Sequence, residues 1–530
     1  MRGIFQGGQR SLWMRQAAEQ AGRGLLCAIL FAGAATAYSA LRPPTDPAGW
    51  RGEAMAEALQ AIDAVADPYQ LAQVLTEAAR AQLLMEDADG AEASLRRALD
   101  IADRIAAPEF KGWALRDIVV AQLAADDLIG ARQTVELITS DRPQGAALAA
   151  IADVQLRGGN LDKAQATAGR IRDKAAAGAV LYQVTALQLA RGELSAARAT
   201  VRRIDDRFYE AVALGEIAFA EITAGNLKRA ETAAAQAQRK DRGQVWARIA
   251  VASIQRGDRR TALDALAEID DVFERTIVQG QLAALSAAKD KAGSAELQQQ
   301  AFQSLATARE RDRVAVTLAQ LARLQAVAGD REGARGTLQR ALAATAEIKA
   351  QQQRDAALEL IARNQVRLGD YGAALDLTPQ IANRISQALL VRDIAAGQLQ
   401  AGATLAEIDE LTPTDEPLVE TAVWFGVLGT QLEMRSHHDA AASIGRAAEA
   451  VRAIEDEQLK PAAFASLAAA RVTLGDVEGG RQLFQEGLAA GADMVRPAQR
   501  ASAYIHMVSA LNDRLMFLGQ PASSAENSNL

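Results

Sequence analysis

Few residues in this chain are of the kinds that ligate metals or act as nucleophiles. Its histidines are His437, His438 and His506, and its one cysteine is Cys27. The triplet His437-His438-Asp439 has suitable side chains for a metal or acid–base centre, but neighbours on a helix point about 100° apart. No third ligand at a workable spacing accompanies it. The chain has no P-loop, no GxSxG and no Glu-containing zinc-binding helix motif. Paired acids such as Asp205-Asp206 and Asp270-Asp271 have the local context of helix caps. These residues point to no metal, no cofactor and no catalytic centre. Recognition chemistry is better represented. Arg323, Arg363, Arg367 and Arg392 form a basic series in an acidic chain, suited to forked contacts with carboxylates. Arg116, Tyr182 and Phe219 precede them as a more aromatic group. A series of glutamines, Gln82, Gln122, Gln155, Gln188, Gln325, Gln365 and Gln398, recurs at one register.

The elements that position these residues follow from composition and period. The chain has 530 residues and is rich in Ala, with 4% aromatic residues, 12 Pro and 23% charged residues. That balance favours helices in close contact through small side chains and disfavours a β-sandwich. A net charge of −8 argues against a general nucleic-acid binder. One cysteine allows no disulfide framework. Tight turns recur at Gly159, Gly192, Gly225, Gly257, Gly329, Gly369, Gly402 and Gly475, with equivalents near Glu86, Asp126, Asp290 and Ser436. Their spacing gives a period of about 35 residues, the signature of stacked helix pairs. A small residue precedes the turn by seven positions, as at Ala152, Ala218, Ala250, Ala322 and Ala362. Another follows it by five, at Ala164, Ala197, Ala230, Ala262, Ala295, Ala334 and Ala374. Such residues let two antiparallel helices approach closely. The glycine suits a left-handed helix terminus. Twelve positions after the turn stands Ile138, Ile171, Ile204, Ile269 or Ile381, on the same face as the alanine. Asp173, Asp206 and Asp271 then read as N-caps of the next repeat.

In the small residues, the turn glycine and the period, residues 53–518 resemble the tetratricopeptide repeat family. The resemblance implies an all-α, right-handed solenoid of about twelve helix pairs and a role as a protein-binding scaffold. It also implies an inner surface built from the first helix of each pair, which is where Arg116, Tyr182, Phe219, Arg323, Arg363, Arg367 and Arg392 project. Glutamine replaces the family's usual aromatic four residues before the turn, and most repeats lack its closing proline. Two readings of the glutamines stand: amides satisfying a neighbouring helix end, or a row gripping an extended partner backbone. The arginines likewise read as a strip for an acidic partner or as a solvated surface with Glu359 and Asp393 beside it. The stretch 415–426 departs from the repeat, and Trp424 and Phe425 either fill a gap between units or mark a partner site.

The N-terminal region reads separately. Arg2, Arg10, Arg15 and Arg23 precede an uncharged stretch, residues 24–41, and Arg42 with Pro43, Pro44 and Pro47 end it. This is the pattern of a secretory signal, with Ala35-Thr36-Ala37 as a cleavage site, or of an uncleaved membrane anchor. The expected organisation is therefore signal or anchor at 1–41, linker at 42–52, solenoid at 53–518 and a disordered polar tail at 519–530. The leading functional expectation is a non-catalytic scaffold of the cell envelope, periplasmic or otherwise extracytoplasmic. Its partners would be other proteins, with no nucleic acid, and membrane contact only through the N-terminal segment. Alternatives are a self-assembling homo-oligomer, with segment 498–518 acting as an end cap, and a superhelical enzyme on wall polymer. No stretch outside the repeats is long enough to hold a separate catalytic domain.

Overall fold

The computed structural model describes residues 49–411 and 416–511. The signal or anchor segment, most of the linker and the polar tail lie outside them. All regular structure among the described residues is helical, and no helix there is long and apolar enough to cross a membrane. The residues form two compact units, one from 49–105 with 369–511 and the other from 106–368.

The first unit holds α1 Trp50–Asp63, α2 Pro68–Leu84 and α3 Ala88–Ala102 at the start of the chain. The second runs through α4 Pro108–Ala124, α5 Leu128–Glu136, α6 Asp141–Arg157, α7 Leu161–Ala168 and α8 Lys174–Ala190. It continues with α9 Leu194–Val201, α10 Arg207–Thr223, α11 Leu227–Gln236, α12 Arg242–Gln255 and α13 Arg259–Ala267. Its last members are α14 Val272–Ser286, α15 Lys291–Ala306, α16 Arg311–Val327, α17 Arg331–Thr345 and α18 Gln351–Leu368. The first unit resumes with α19 Tyr371–Leu377, α20 Arg384–Gln400, α21 Leu405–Leu411 and α22 Pro417–Glu433. It ends with α23 His437–Ala453, α24 Lys460–Thr473, α25 Val477–Ala492 and α26 Pro497–Leu511. Even-numbered helices are the first members of helix pairs; within the second unit those from α4 to α16 each pack on the odd-numbered helix after them and on the next even-numbered helix, as α20 and α24 do within the first. The expected all-α stack of helix pairs is the fold of both units.

Local chemistry accounts for each hairpin. The eight turn glycines have φ between 75° and 98°, where an L side chain is disfavoured. Around Gly159, the Asn160 amide donates to the Gln155 carbonyl at 2.8 Å, closing the first helix with the six-to-one bond of a Schellman motif. Glu86, Asp126 and Arg435 take the same left-handed conformation without glycine. The turn expected at Ser436 therefore sits one residue earlier. The hairpin at Asp290 is one residue shorter than the others. The Asp290 amide bonds the Ser286 carbonyl four positions back rather than five, and Asp290 has φ −143°. This deletion moves the small buried position from the expected Ala295, which is exposed, to Ser294.

The other repeat-defining alanines are buried as expected: Ala152, Ala164, Ala197, Ala230, Ala262, Ala334 and Ala374 are 0% exposed. Ile138, Ile171, Ile204, Ile269 and Ile381 are buried with them. Asp173, Asp206 and Asp271 cap α8, α10 and α14 through backbone amides. Pro108 and Pro497 stand at the first position of α4 and α26, where a missing N–H costs nothing.

Four of the seven glutamines form a staple inside the hairpin, while the Oε1 atoms of Gln122, Gln365 and Gln398 are buried without a hydrogen-bond partner among the described residues. Gln82 Oε1 accepts from Ser94 Oγ at 2.7 Å, and Gln155 Oε1 accepts from Thr167 Oγ1 at 2.9 Å. Gln188 and Thr200 repeat the bond at 2.8 Å, and Gln325 and Thr337 at 2.7 Å. Each partner lies twelve residues on, across the hairpin, so the amides of these four meet a side-chain hydroxyl of the second helix rather than a helix end. All eight residues are buried. In one repeat the ladder position is Glu221, fully buried and ion-paired with Arg198 from the preceding pair.

The first unit contains a pair that the repeat count does not include. α26 has no second helix after it among the described residues. The space is filled by α1, which packs along α26 and joins it to α2. The segment 498–518, weighed as an end cap, thus begins with a first helix whose partner is the start of the array. Trp50, Ala54, Met55, Ala58, Ala61 and Ile62 are the buried face of α1. The Trp50 indole stacks on Phe484 of α25, and Arg481 meets Glu53 through two bonds of 2.7 and 3.2 Å. Ser502 Oγ of α26 donates to Glu77 Oε2 of α2 at 2.7 Å.

Candidate protein-binding face

The first helices of the second unit bring two of the sequence-derived candidates onto neighbouring helices. Tyr182 lies ten residues before Gly192 on α8, and Phe219 six before Gly225 on α10. Between them stand two residues that the sequence reading passed over. Glu216 of α10 and Arg248 of α12 share one register, nine residues before Gly225 and Gly257. Arg248 Nη2 donates to Glu216 Oε2 at 2.7 Å, and its guanidinium lies 4.8 Å from the Phe219 ring centroid. Gly215 makes room for this arm, since a Cβ there would stand 2.9 Å from Arg248 Cγ. Tyr182 faces Tyr209 at 6.4 Å between centroids, and Phe208 packs edge-on against Tyr209 at 5.2 Å. Burial raises the Tyr182 hydroxyl above the ordinary phenol range, with the Glu216 charge adding and Arg248 opposing. The hydroxyl is therefore protonated at neutral pH and available as a donor.

Arg116 on α4 lies 5.2 Å from the Trp113 ring centroid and pairs with Asp117 at 2.7 Å. Between α4 and α8 the same face of α6 presents Ala146, Ala149 and Asp153. The surface of successive first helices thus passes from Trp113 and Arg116, across small alanines, to the Tyr182 and Phe219 cluster. Side chains here are partly exposed, whereas those of the hairpin interior are buried.

The four arginines of the basic series differ in surroundings. Arg323 on α16 is partly exposed, with no bonded carboxylate among the described residues. Arg363 on α18 is held by Glu359 at 2.9 and 3.1 Å, and Arg367 by Asn364 at 3.5 Å. Arg392 belongs to the first unit, on α20. Its guanidinium bonds Asp393 at 2.7 and 3.0 Å. Charge in the series is thus partly neutralised by the two acids that flank it in sequence.

The remaining candidates resolve individually. His437 and His438 begin α23 and are exposed. No group of three metal-ligating side chains converges among the described residues. Trp424 and Phe425 are 1% and 0% exposed, with Arg446 stacked 4.8 Å from the Trp424 ring centroid. They fill the interior of the first unit, the first of the two readings.

Comparison with known proteins finds likenesses among solved structures. No family profile matches the chain, and no curated protein matches it. Among solved structures, Ton1535 from Thermococcus onnurineus is 18% identical and covers 65% of this chain and 95% of its own, at a TM-score of 0.24. Human IFIT1, solved as a dimer with m7Gppp-AAAA, is 13% identical over 84% of this chain and 96% of its own, at 0.25. The APC/C hetero-tetramer Cut9-Hcn1 is 11% identical over 84% and 93%, at 0.22. The chain's own hairpins show a helical repeat: small residues at both crossing positions, a left-handed turn and a capped second helix.

Proposed function

We propose that this protein is a non-catalytic scaffold that binds segments of other proteins along its first helices. The observation that carries the reading is the Tyr182, Glu216, Phe219 and Arg248 cluster. It combines partly exposed aromatic rings, a phenol donor and a charged pair on the face that the hairpin cores leave free. Aromatic residues and arginine are the side chains that dominate protein–protein recognition. The alanine surface of α6 next to it would seat a partner backbone closely, and Arg323 would supply a cation farther along the second unit. The site of action in this reading is the cell envelope, outside the cytoplasm. The Arg-rich start and uncharged run at residues 24–41 support it, as either a cleaved signal or an anchor.

The test is a photo-crosslinking residue placed at Tyr182 or Arg323, with Arg132 on the exposed second-helix surface as reference. Envelope proteins should be captured from the first two positions and lost on Phe219→Ala with Arg248→Ala. Equal capture from Arg132 would remove the assignment of this face, and a purely cytoplasmic distribution of the chain would remove the envelope assignment.

A further inference from the structure

The cluster of Tyr182, Glu216, Phe219 and Arg248 continues toward the start of α10 as a second group of rings. Tyr209 lies over α8, where Gly178 makes room for it: a Cβ on that glycine would stand 3.1 Å from Tyr209 Cβ and Cδ2. Tyr182, one helical turn after Gly178, faces this ring, and Phe208 beside it is 43% exposed. Rings from both helices, Phe208, Tyr209 and Phe219 of α10 and Tyr182 of α8, thus line the crease between them. The stretch from Tyr209 to Phe219 spans about 15 Å of helix. Neither the Tyr182 nor the Tyr209 hydroxyl has a hydrogen-bond partner among the described residues.

This chemistry selects among ligands. Each phenol needs an acceptor, which a peptide carbonyl supplies without charge. A carboxylate is disfavoured, because Glu216 stands in the crease and Glu210, next to Tyr209, is held above the ordinary carboxylate range by burial and by the charges of Asp205 and Asp241. A cation is disfavoured at the other end, since Arg248 already bonds Glu216 and lies against the Phe219 ring. The rings are presented on a helix face, partly exposed, so a ligand that loses little conformational freedom on binding is favoured. A polyproline II segment meets all these requirements. Its prolines lack N–H donors, its carbonyls are unpaired, its pyrrolidine rings pack on aromatic rings, and its backbone is ordered before binding. At about 3.1 Å per residue, roughly five residues cover the distance from Tyr209 to Phe219. We propose that the crease between α8 and α10 binds a proline-rich segment of a partner protein, with Tyr182 and Tyr209 donating to its carbonyls. The inference rests on the reading of this cluster as part of the binding face, and it names the chemistry of what is bound.

Anisotropy of a fluorescein-labelled decaproline peptide, titrated with the full-length chain, tests it. Saturable binding below about 1 mM is expected. Tyr182→Phe combined with Tyr209→Phe should weaken it at least about fivefold. Phenylalanine keeps each ring, so both hydroxyls are removed without emptying the crease. No saturable binding of decaproline overturns the inference, as does equal affinity in the doubly substituted chain. Tighter binding of a glutamate-rich, lysine-rich or leucine-rich amphipathic peptide of the same length overturns it too. Photo-crosslinking separates this inference from the reading beneath it. Capture of envelope proteins at Tyr182 without decaproline binding sinks this inference alone, whereas equal capture from Arg132 removes the face as well.

Discussion

Trp50 and Phe484 stack with ring centroids 5.2 Å apart and planes inclined by 15°, although 433 positions separate them in the chain. Their contact is the apolar centre of the joint that makes α1 the second helix of α26. Trp50 is 1% exposed and Phe484 0%. Trp50→Ala should therefore cost about 3–5 kcal/mol locally, the usual range for emptying a large core site. Hydrogen exchange should show it first, as faster exchange across α1 and α26 with little change in α4 to α17. Uniform acceleration in both units would contradict a local joint.

The hairpin staples predict a non-additive pair. Gln155→Leu leaves a buried threonine hydroxyl without its acceptor, and Thr167→Val leaves a buried amide oxygen unmet. Each should cost roughly 1–3 kcal/mol, whereas the double change should cost less than their sum. Urea unfolding of the four proteins gives the coupling. Strict additivity would mean that the 2.9 Å bond contributes nothing.

Arg435 holds φ 58° where eight repeats have glycine. Arg435→Gly should relieve about 1 kcal/mol of left-handed strain, offset in part by the freer unfolded chain. Gly225→Ala, at φ 84°, should act in the opposite direction. A lower melting temperature for Arg435→Gly would show that the arginine side chain contributes more than the turn geometry costs.

Acidification should weaken the joint through His506. Burial pushes this imidazole below its ordinary value, against the opposing charge of Glu77 on α2. The folded protein then binds fewer protons than the unfolded chain once pH falls below the ordinary imidazole range near 6.5. Stability from this group is complete above that range and is lost as pH falls through it toward the lower folded value. His506→Gln should flatten the difference in urea midpoint between pH 7.5 and 5.5, with exchange in α26 as the local readout. An unchanged difference would place the acid sensitivity elsewhere.

How much of this was legible in the sequence depends on range. The turn glycines, the crossing alanines and the aspartate caps are local and periodic, so spacing alone located them. The turn near Asp290 was located, but its small buried residue was misplaced at Ala295 instead of Ser294, because a one-residue deletion leaves the period almost unchanged while shifting the second-helix positions that follow. Arg248 and Glu216 were missed, although opposite charges in the same register of consecutive repeats were a readable signal. The joint was missed for a different reason. Pairing between distant segments leaves no local trace, yet α1 does carry the second-helix pattern. Ala58, Val65 and Asp67 have the spacing of Ala164, Ile171 and Asp173. A half repeat at the start and another at the end were both in view without being matched to each other.

Because Leu511 and Trp50 end adjoining helices of one hairpin, the order in which the polypeptide visits the first unit is conventional rather than required. Splicing residue 511 to residue 50 through a Gly-Asp turn, and opening the chain at Gly475 instead, would keep the helix neighbours of that unit while moving its termini. Such a permuted gene would turn the present joint into an ordinary covalent hairpin and transfer the non-covalent one to α24 and α25.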